Sequence, residues 1–237
     1  MQACLRVLLL AAPMLSPSVQ ASDDAITVDP AVHKVILEND FIRVFDARAS
    51  QGARSPLHTH PPMVLVSLAK ARFRMTQADG GTSIFDLNPG QALWVEGAHH
   101  AWELLAGELH AIGIEIKSAQ EGRVPAAPMR RPDDAAAADP EAHHVLFENP
   151  QVRVFEGRTS AGRRSPMHSH PPSVYVSLDW MRLKLTTPDG KTVVHDFSPA
   201  QVLWFEDGGI HSWEALAGAG RVIAVEVKAA ATPAGDR

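Results

Sequence analysis

Along most of this chain apolar and polar residues alternate in short runs instead of recurring every three or four positions. "RFRMT" (72–76) and "RLKLT" (182–186) alternate strictly, and "VLVSL" (64–68) and "VYVSL" (174–178) are short β-branched or aromatic runs. Period-two patterning of this length predicts half-buried strands. The Asp-Gly pairs in "QADGG" and "TPDGK" mark hairpin turns, and "LNPGQ" and "FSPAQ" break the chain before "ALWVE" and "VLWFE". Many short strands with almost no helical period predict an all-β protein, built as an antiparallel barrel or jelly-roll sandwich.

Every one of these stretches occurs twice. "DPAVHKVILENDFIRVF" begins at Asp29 and "DPEAHHVLFENPQVRVF" at Asp139, an offset of 110 that also relates "SPLHTHPP" (55–62) to "SPMHSHPP" (165–172). Roughly half the aligned positions are identical, far above chance for unrelated segments. After Trp94 and Trp204 the second copy gains one residue, so that His100 aligns with His211 and Trp102 with Trp213. The copies end at "IGIEIK" (112–117) and "IAVEVK" (223–228). The expected organisation is domain 1 over 29–117, an Ala/Pro-rich linker over 118–138, domain 2 over 139–228 and a tail over 229–237.

Composition narrows the classes. Net charge is −5 with no basic block, which argues against nucleic acid as a partner. Residues 1–21 have the layout of a secretory signal: Arg6, an apolar stretch from Val7 to Leu15, and a small-residue ending at Ala21. That stretch is too short for a membrane span and no other approaches spanning length, so a secreted or periplasmic protein is expected. The single cysteine, Cys4, lies inside the segment to be removed. The mature chain therefore has no disulfide and no thiolate metal ligand, and any metal must be held by nitrogen and oxygen.

The histidines supply the candidate chemistry. Residues two apart on a strand face the same side, so His58 and His60 present both imidazoles together, as do His168 and His170. Two ligands bind a divalent ion weakly, and His100 and His211 stand in equivalent places to supply a third. A lone His-x-His is usually a surface accident, but here the pair and its distant partner occur together in both copies. His99, His110, His144 and His195 have no counterpart. His33 and His143 match each other, yet they precede the predicted barrel strands and are expected to be structural or at the surface. His99 competes with His100 for the inward position, since a one-residue slip reverses the face; the spacing from Gly97 favours His100.

With these residues in view the chain resembles the cupin superfamily, specifically a tandem two-domain bicupin. The family's first motif, Gly followed six residues later by His-x-His, matches "GARSPLHTH" from Gly52 and "GRRSPMHSH" from Gly162. The second, Pro-x-Gly-x-x-His, is similar to "VEGAHH" (95–100) and "EDGGIH" (206–211), with Val95 and Glu206 in place of proline. The resemblance implies a small jelly-roll barrel in each half with a metal near its mouth. The glutamate expected four or five residues beyond the second histidine is replaced by Val64 and Leu65, and by Val174 and Tyr175. That departs from the oxalate-oxidising and oxalate-decarboxylating branch, whose manganese site uses the glutamate. It leaves the three-histidine arrangement of thiol dioxygenase-like and diketone-cleaving cupins.

Neutral imidazoles suit Fe(II), Zn, Cu and Ni better than Mn. The family resemblance favours Fe(II), with an oxygenase-type reaction on a small organic molecule. A non-catalytic small-ligand-binding or metal-holding bicupin is the alternative. Trp102 and Trp213, two residues past the third histidine, are expected to line the cavity with Met63 and Tyr175; Val64, Trp94 and Trp204 are further candidates for its wall, and the two last serve as well in a core. Glu103 and Glu214 should point away from the ligands. Glu115 and Glu226 would point inward only if the aliphatic residues alternating with them face outward. Nothing resembles a base-activated nucleophile: Ser55 and Ser165 precede proline, which marks a turn into the strand. The residues identify neither a substrate nor an oligomeric state.

Overall fold

The computed structural model describes residues 23–117, 133–206 and 209–228. The expected signal segment, most of the expected linker and the tail lie outside the described residues.

The first half opens with a four-residue helix α1 (Ala25–Val28), followed by β1 (His33–Glu38), β2 (Ile42–Ser50), β3 (Arg54–His60), β4 (Met63–Ser67), β5 (Ala71–Gln77), β6 (Thr82–Leu87), β7 (Ala92–Val95) and the long β8 (Ala98–Ile116). The second half repeats the plan with α2 (Ala135–Ala138), β9 (His143–Glu148), β10 (Val152–Ser160), β11 (His168–Ser169), β12 (Ser173–Ser177), β13 (Met181–Thr186), β14 (Thr192–Phe197), β15 (Val202–Phe205), β16 (Ile210–Ala217) and β17 (Ala219–Val227). All strand pairings between named strands are antiparallel. Each half is a two-sheet jelly roll. In the second half the sheets run β15-β12-β17-β10-β9 and β11-β16-β13-β14. In the first half β8 crosses between the equivalent sheets, pairing with β3 and β5 at its start and with β2 and β4 at its end.

The corner is made by glycine. Gly107 has φ +79° and a Cβ there would lie 2.1 Å from the Lys70 carbonyl oxygen; Gly218 at the matching corner has φ +83°. A left-handed backbone pressed against a neighbouring strand leaves room for no side chain. The Asp-Gly hairpins form as the turn chemistry predicts, joining β5 to β6 and β13 to β14, with Gly80 and Gly190 at positive φ.

The two barrels meet through their β2–β8–β4 and β10–β17–β12 sheets. Val44, Val64, Val66, Ile112, Ile114 and Ile116 of the first half form one apolar cluster with Val152, Val154, Val174, Val176, Ile223, Val225 and Val227 of the second, all but fully buried. At ~1.5–3 kcal/mol for each such side chain removed from water, burial in this cluster is a large favourable term for joining the two barrels. It also explains why the residues of these strands that turn away from the barrel interior are apolar. One set of alternate residues faces the partner barrel, and the other faces its own barrel interior.

Candidate metal centre

Strand alternation brings His58 and His60 to the interior of the first barrel, where they are 0% and 7% exposed, and His168 and His170 match them. Antiparallel register sets His58 opposite His100 and His168 opposite His211. The facing rings are 4.8 Å and 4.7 Å apart between centroids, and His60 and His170 lie 5.6 Å and 5.4 Å from the same third histidines. The rings of the six histidines expected as ligands are thus neighbours, three to a barrel, although His100 and His211 fall outside the groups whose nitrogens all lie within 4.8 Å of one another. His99 points the other way, exposed and 3.6 Å from Asp23, so His100 is the inward residue.

A fourth ring stands beside each cluster. His33 and His143, expected to be structural or surface residues, are not at the surface but buried beside the His-x-His pair. His33 is 5.3 Å from His58 and 5.4 Å from His60, and His143 is 4.7 Å from His168 and 5.4 Å from His170. Nitrogens of His33, His58 and His60 lie within 4.8 Å of one another, as do those of His143, His168 and His170. Each opening-strand histidine sits opposite a small residue, Ala47 or Gly157, which leaves its ring room to turn inward. The pairing with β2 and β10, rather than sequence distance from the motif, decides this placement.

The outer nitrogens are anchored in a common way. His58 Nδ1 faces the Pro56 carbonyl at 2.8 Å and Ser55 Oγ at 3.1 Å, and His168 Nδ1 faces the Pro166 carbonyl at 2.9 Å. His60 Nδ1 faces Glu115 Oε1 at 3.3 Å, and His170 Nδ1 faces Glu226 Oε1 at 2.9 Å. An Nδ1 that donates to a carbonyl or carboxylate leaves a lone pair on Nε2, the form that binds a metal. Nε2 of His58 and of His168 is buried and has no hydrogen-bond partner among the described residues. A buried, unpaired imidazole nitrogen is costly unless something takes its lone pair. A divalent transition metal ion fits that requirement, and the donor set is all nitrogen.

Burial, reinforced by the neighbouring imidazoles, lowers the pKa of His33 and His143 to about 4. It lowers His100, His170 and His211 to about 3, and His58 and His168 shift down for the same first cause. These rings are neutral at pH 7, as ligands must be.

Glu115 and Glu226 point inward because Ile112, Ile114 and Ile116, and Ile223, Val225 and Val227, point outward into the partner barrel. Each carboxylate is 1% exposed and is held by an arginine, Arg43 or Arg153. Burial raises the pKa of Glu226, against the pull of Arg153. Those arginines in turn pair with Asp24 at 2.5 Å and with Asp134 at 2.9 Å and 2.6 Å. Asp24 and Asp134 are the N-caps of α1 and α2, accepting from the Ile26 and Ala136 backbone N–H groups. Residues that composition assigned to a linker therefore brace the centre of the second barrel. The signal for this was present: "DDAITVDP" (23–30) and "DDAAAADP" (133–140) extend the alignment six residues upstream.

Glu103 and Glu214 face away from the histidines, paired with Arg54 and Arg74, and with Arg164 and Lys184. Val64 faces the partner barrel, not the cavity, and Trp94 and Trp204 pack against the same inter-barrel cluster. The cavities beside the histidines measure about 280 Å³ in the first barrel and 270 Å³ in the second. Met63 and Trp102 line the first, and Tyr175 and Trp213 line the second, with Phe45 and Phe155 stacked 5.5 Å and 5.6 Å from His60 and His170. Tyr175, the only tyrosine in the chain, stands where the first barrel has Leu65, its ring 6.0 Å from that of His170.

No protein-family model matches the chain, and no curated protein matches its sequence. Its fold does match solved structures. An oxalate decarboxylase variant from Bacillus subtilis is 13% identical with a TM-score of 0.54, covering 80% of this chain and 69% of that one. The salicylate 1,2-dioxygenase of Pseudoaminobacter salicylatoxidans, with gentisate, is 11% identical with a TM-score of 0.54, covering 79% and 68%. A cupin 2 conserved barrel domain protein from Leptotrichia buccalis is 14% identical over 83% of this chain and 88% of that one, at a TM-score of 0.49. At such identities the two likenesses with TM-scores above 0.5 bear on the fold alone, and that fold is the cupin barrel, present once in each half.

Proposed function

We propose that this tandem cupin is an exported metalloenzyme whose barrels each hold a divalent transition metal ion on histidine nitrogens. Its reaction is an oxygenation, or a related conversion, of a small organic molecule taken into the cavity. The observation that carries the reading is the buried, unpartnered Nε2 of His58 and of His168, each surrounded by further imidazoles at the edge of a cavity. The ligands are His58, His60 and His100 in one barrel and His168, His170 and His211 in the other. When bound, the ion, with Fe(II) favoured, would supply Lewis acidity and redox capacity without a carboxylate to lower its charge. The chain's own part is to fix the rings through Glu115 and Glu226 and to keep water off with the Trp102 and Trp213 walls. Export rests on the sequence of residues 1–21.

Metal analysis of the mature protein after anaerobic reconstitution with Fe(II), Zn and Cu tests the first step. An oxygen-consumption scan over small acids, thiols and diketones tests the second. The double variant His58→Ala, His168→Ala should lose both; absence of bound metal in the parent protein would sink the proposal. The apolar character of both cavity walls favours a second reading, capture of a small ligand without turnover. Thermal stabilisation by a compound that is not consumed would select it.

A further inference from the structure

The geometry points to His33 and His143 as direct metal ligands, each bringing to its centre an imidazole nitrogen from the strand that opens the barrel. This deepens the metal-centre reading above and rests on it. Three independent features of His33 resemble those of the motif histidines. It is 4% exposed, its nitrogen lies within 4.8 Å of nitrogens of both His58 and His60, and its Nδ1 is 3.2 Å from the Asp29 carbonyl oxygen. His143 repeats all three: 6% exposed, grouped with His168 and His170, its Nδ1 3.0 Å from the Asp139 carbonyl. A carbonyl can only accept, so Nδ1 carries the proton and the Nε2 lone pair is free.

The anchor itself is built. Asp29 and Asp139 are the C-caps of α1 and α2, and the same carbonyl that faces Nδ1 also accepts the backbone N–H of His33 or His143, at 3.0 Å in each. The N-caps of those helices, Asp24 and Asp134, reach His60 and His170 through Arg43–Glu115 and Arg153–Glu226. One short helix thus orients two rings of the cluster from opposite ends. A histidine serving only to fill space would not need its tautomer fixed. Nδ1 of His100, by comparison, is buried with no hydrogen-bond partner among the described residues.

Where His100 or His211 binds as well, the four nitrogens close the coordination of a tetrahedral ion such as Zn, which would then be structural. Turnover at such a centre calls for an ion that accepts more than four ligands.

The test uses the full mature chain with Cu(II) as the probe. Affinity is read by competition with a chromophoric chelator, and the coordinating imidazole nitrogens are read from the electron paramagnetic resonance spectrum. His33→Ala alters one barrel and leaves the other as an internal control, and His33→Gln keeps a side chain in the space should the alanine variant be unstable. Removing an orienting partner already costs about 10–100-fold in affinity, so loss of a direct ligand should exceed about 100-fold. Expected are two tight ions per parent chain and one per variant chain, with the weaker site short of one nitrogen. His99→Ala should change neither reading. An unchanged nitrogen count in both His33 variants overturns the assignment, even if affinity falls 10–100-fold, because that pattern belongs to an orienting residue. A parent protein that binds no copper overturns the metal-centre reading itself.

Discussion

Replacing Glu226 with glutamine changes one atom and poses a dilemma the site cannot resolve. The carboxylate, 1% exposed, accepts from His170 Nδ1 through Oε1 at 2.9 Å and from Arg153 Nε through Oε2. An amide has one oxygen. If that oxygen stays on His170, the NH₂ group confronts the arginine donor. If it turns to Arg153, the NH₂ group donates to Nδ1 and drives the imidazole proton onto Nε2, the metal-facing nitrogen. Arg153 keeps its two hydrogen bonds to Asp134, so the loss is one charge-assisted bond and not a fully stranded cation. That sets the cost to the metal-free protein at about 1.5–3 kcal/mol, below the ~3–5 kcal/mol of breaking a buried pair outright. Metal affinity at the second centre should fall about 10–100-fold, equivalent to ~1.4–2.7 kcal/mol, while the first centre is unchanged. A chelator-competition titration should therefore become biphasic, and urea unfolding of the metal-free form should show a lower midpoint. Glu115→Gln should give the converse pattern with a smaller effect, its contact to His60 being longer at 3.3 Å. Glu214→Gln, on the outer face of β16, should leave the titration unaltered. If Glu226→Gln retains the parent titration in both phases, the carboxylate does not orient His170 and the reasoning fails.

Further outcomes follow from the same packing. His33, His100, His143, His170 and His211 titrate below their unfolded value of about 6.5, so the unfolded chain binds more protons. Stability of the metal-free protein should be complete above that value and fall by several kcal/mol as pH drops towards 5, at up to about 1.4 kcal/mol per unit for each histidine; urea midpoints from pH 7.5 to 5 in chelator should decline, and a flat profile would count against buried neutral rings. Ile114→Ala, in the inter-barrel cluster, should cost about 2–5 kcal/mol and leave one unfolding transition, checked by calorimetry; two separated transitions would show that the contact does not couple the barrels. Gly107→Ala should be more damaging than Gly80→Ala in a thermal melt. Both glycines have positive φ, worth ~1–2 kcal/mol, but only at Gly107 does the new Cβ meet backbone, while Gly80 has nothing within 4 Å.

The sequence by itself determined the all-β class, the hairpins and the placement of His58 with His60, and of His168 with His170, on one face of a strand. These follow from period-two alternation and from turn chemistry, both local properties of the chain. It also determined that neither histidine motif offers a thiolate, the single cysteine lying far from both along the chain. The tertiary structure decided what depends on contacts distant in sequence. Pairing of β1 with β2 and of β9 with β10 turned His33 and His143 into the cluster. Docking of the two barrels consumed the outward aliphatics of β8 and β17, and so turned Glu115 and Glu226 towards the histidines. The caps Asp24 and Asp134 became part of the site only once Arg43 and Arg153 reached across to them. An alternating strand fixes which residues share a face, but which face is interior is set by what packs against it, and that partner lies elsewhere in the chain.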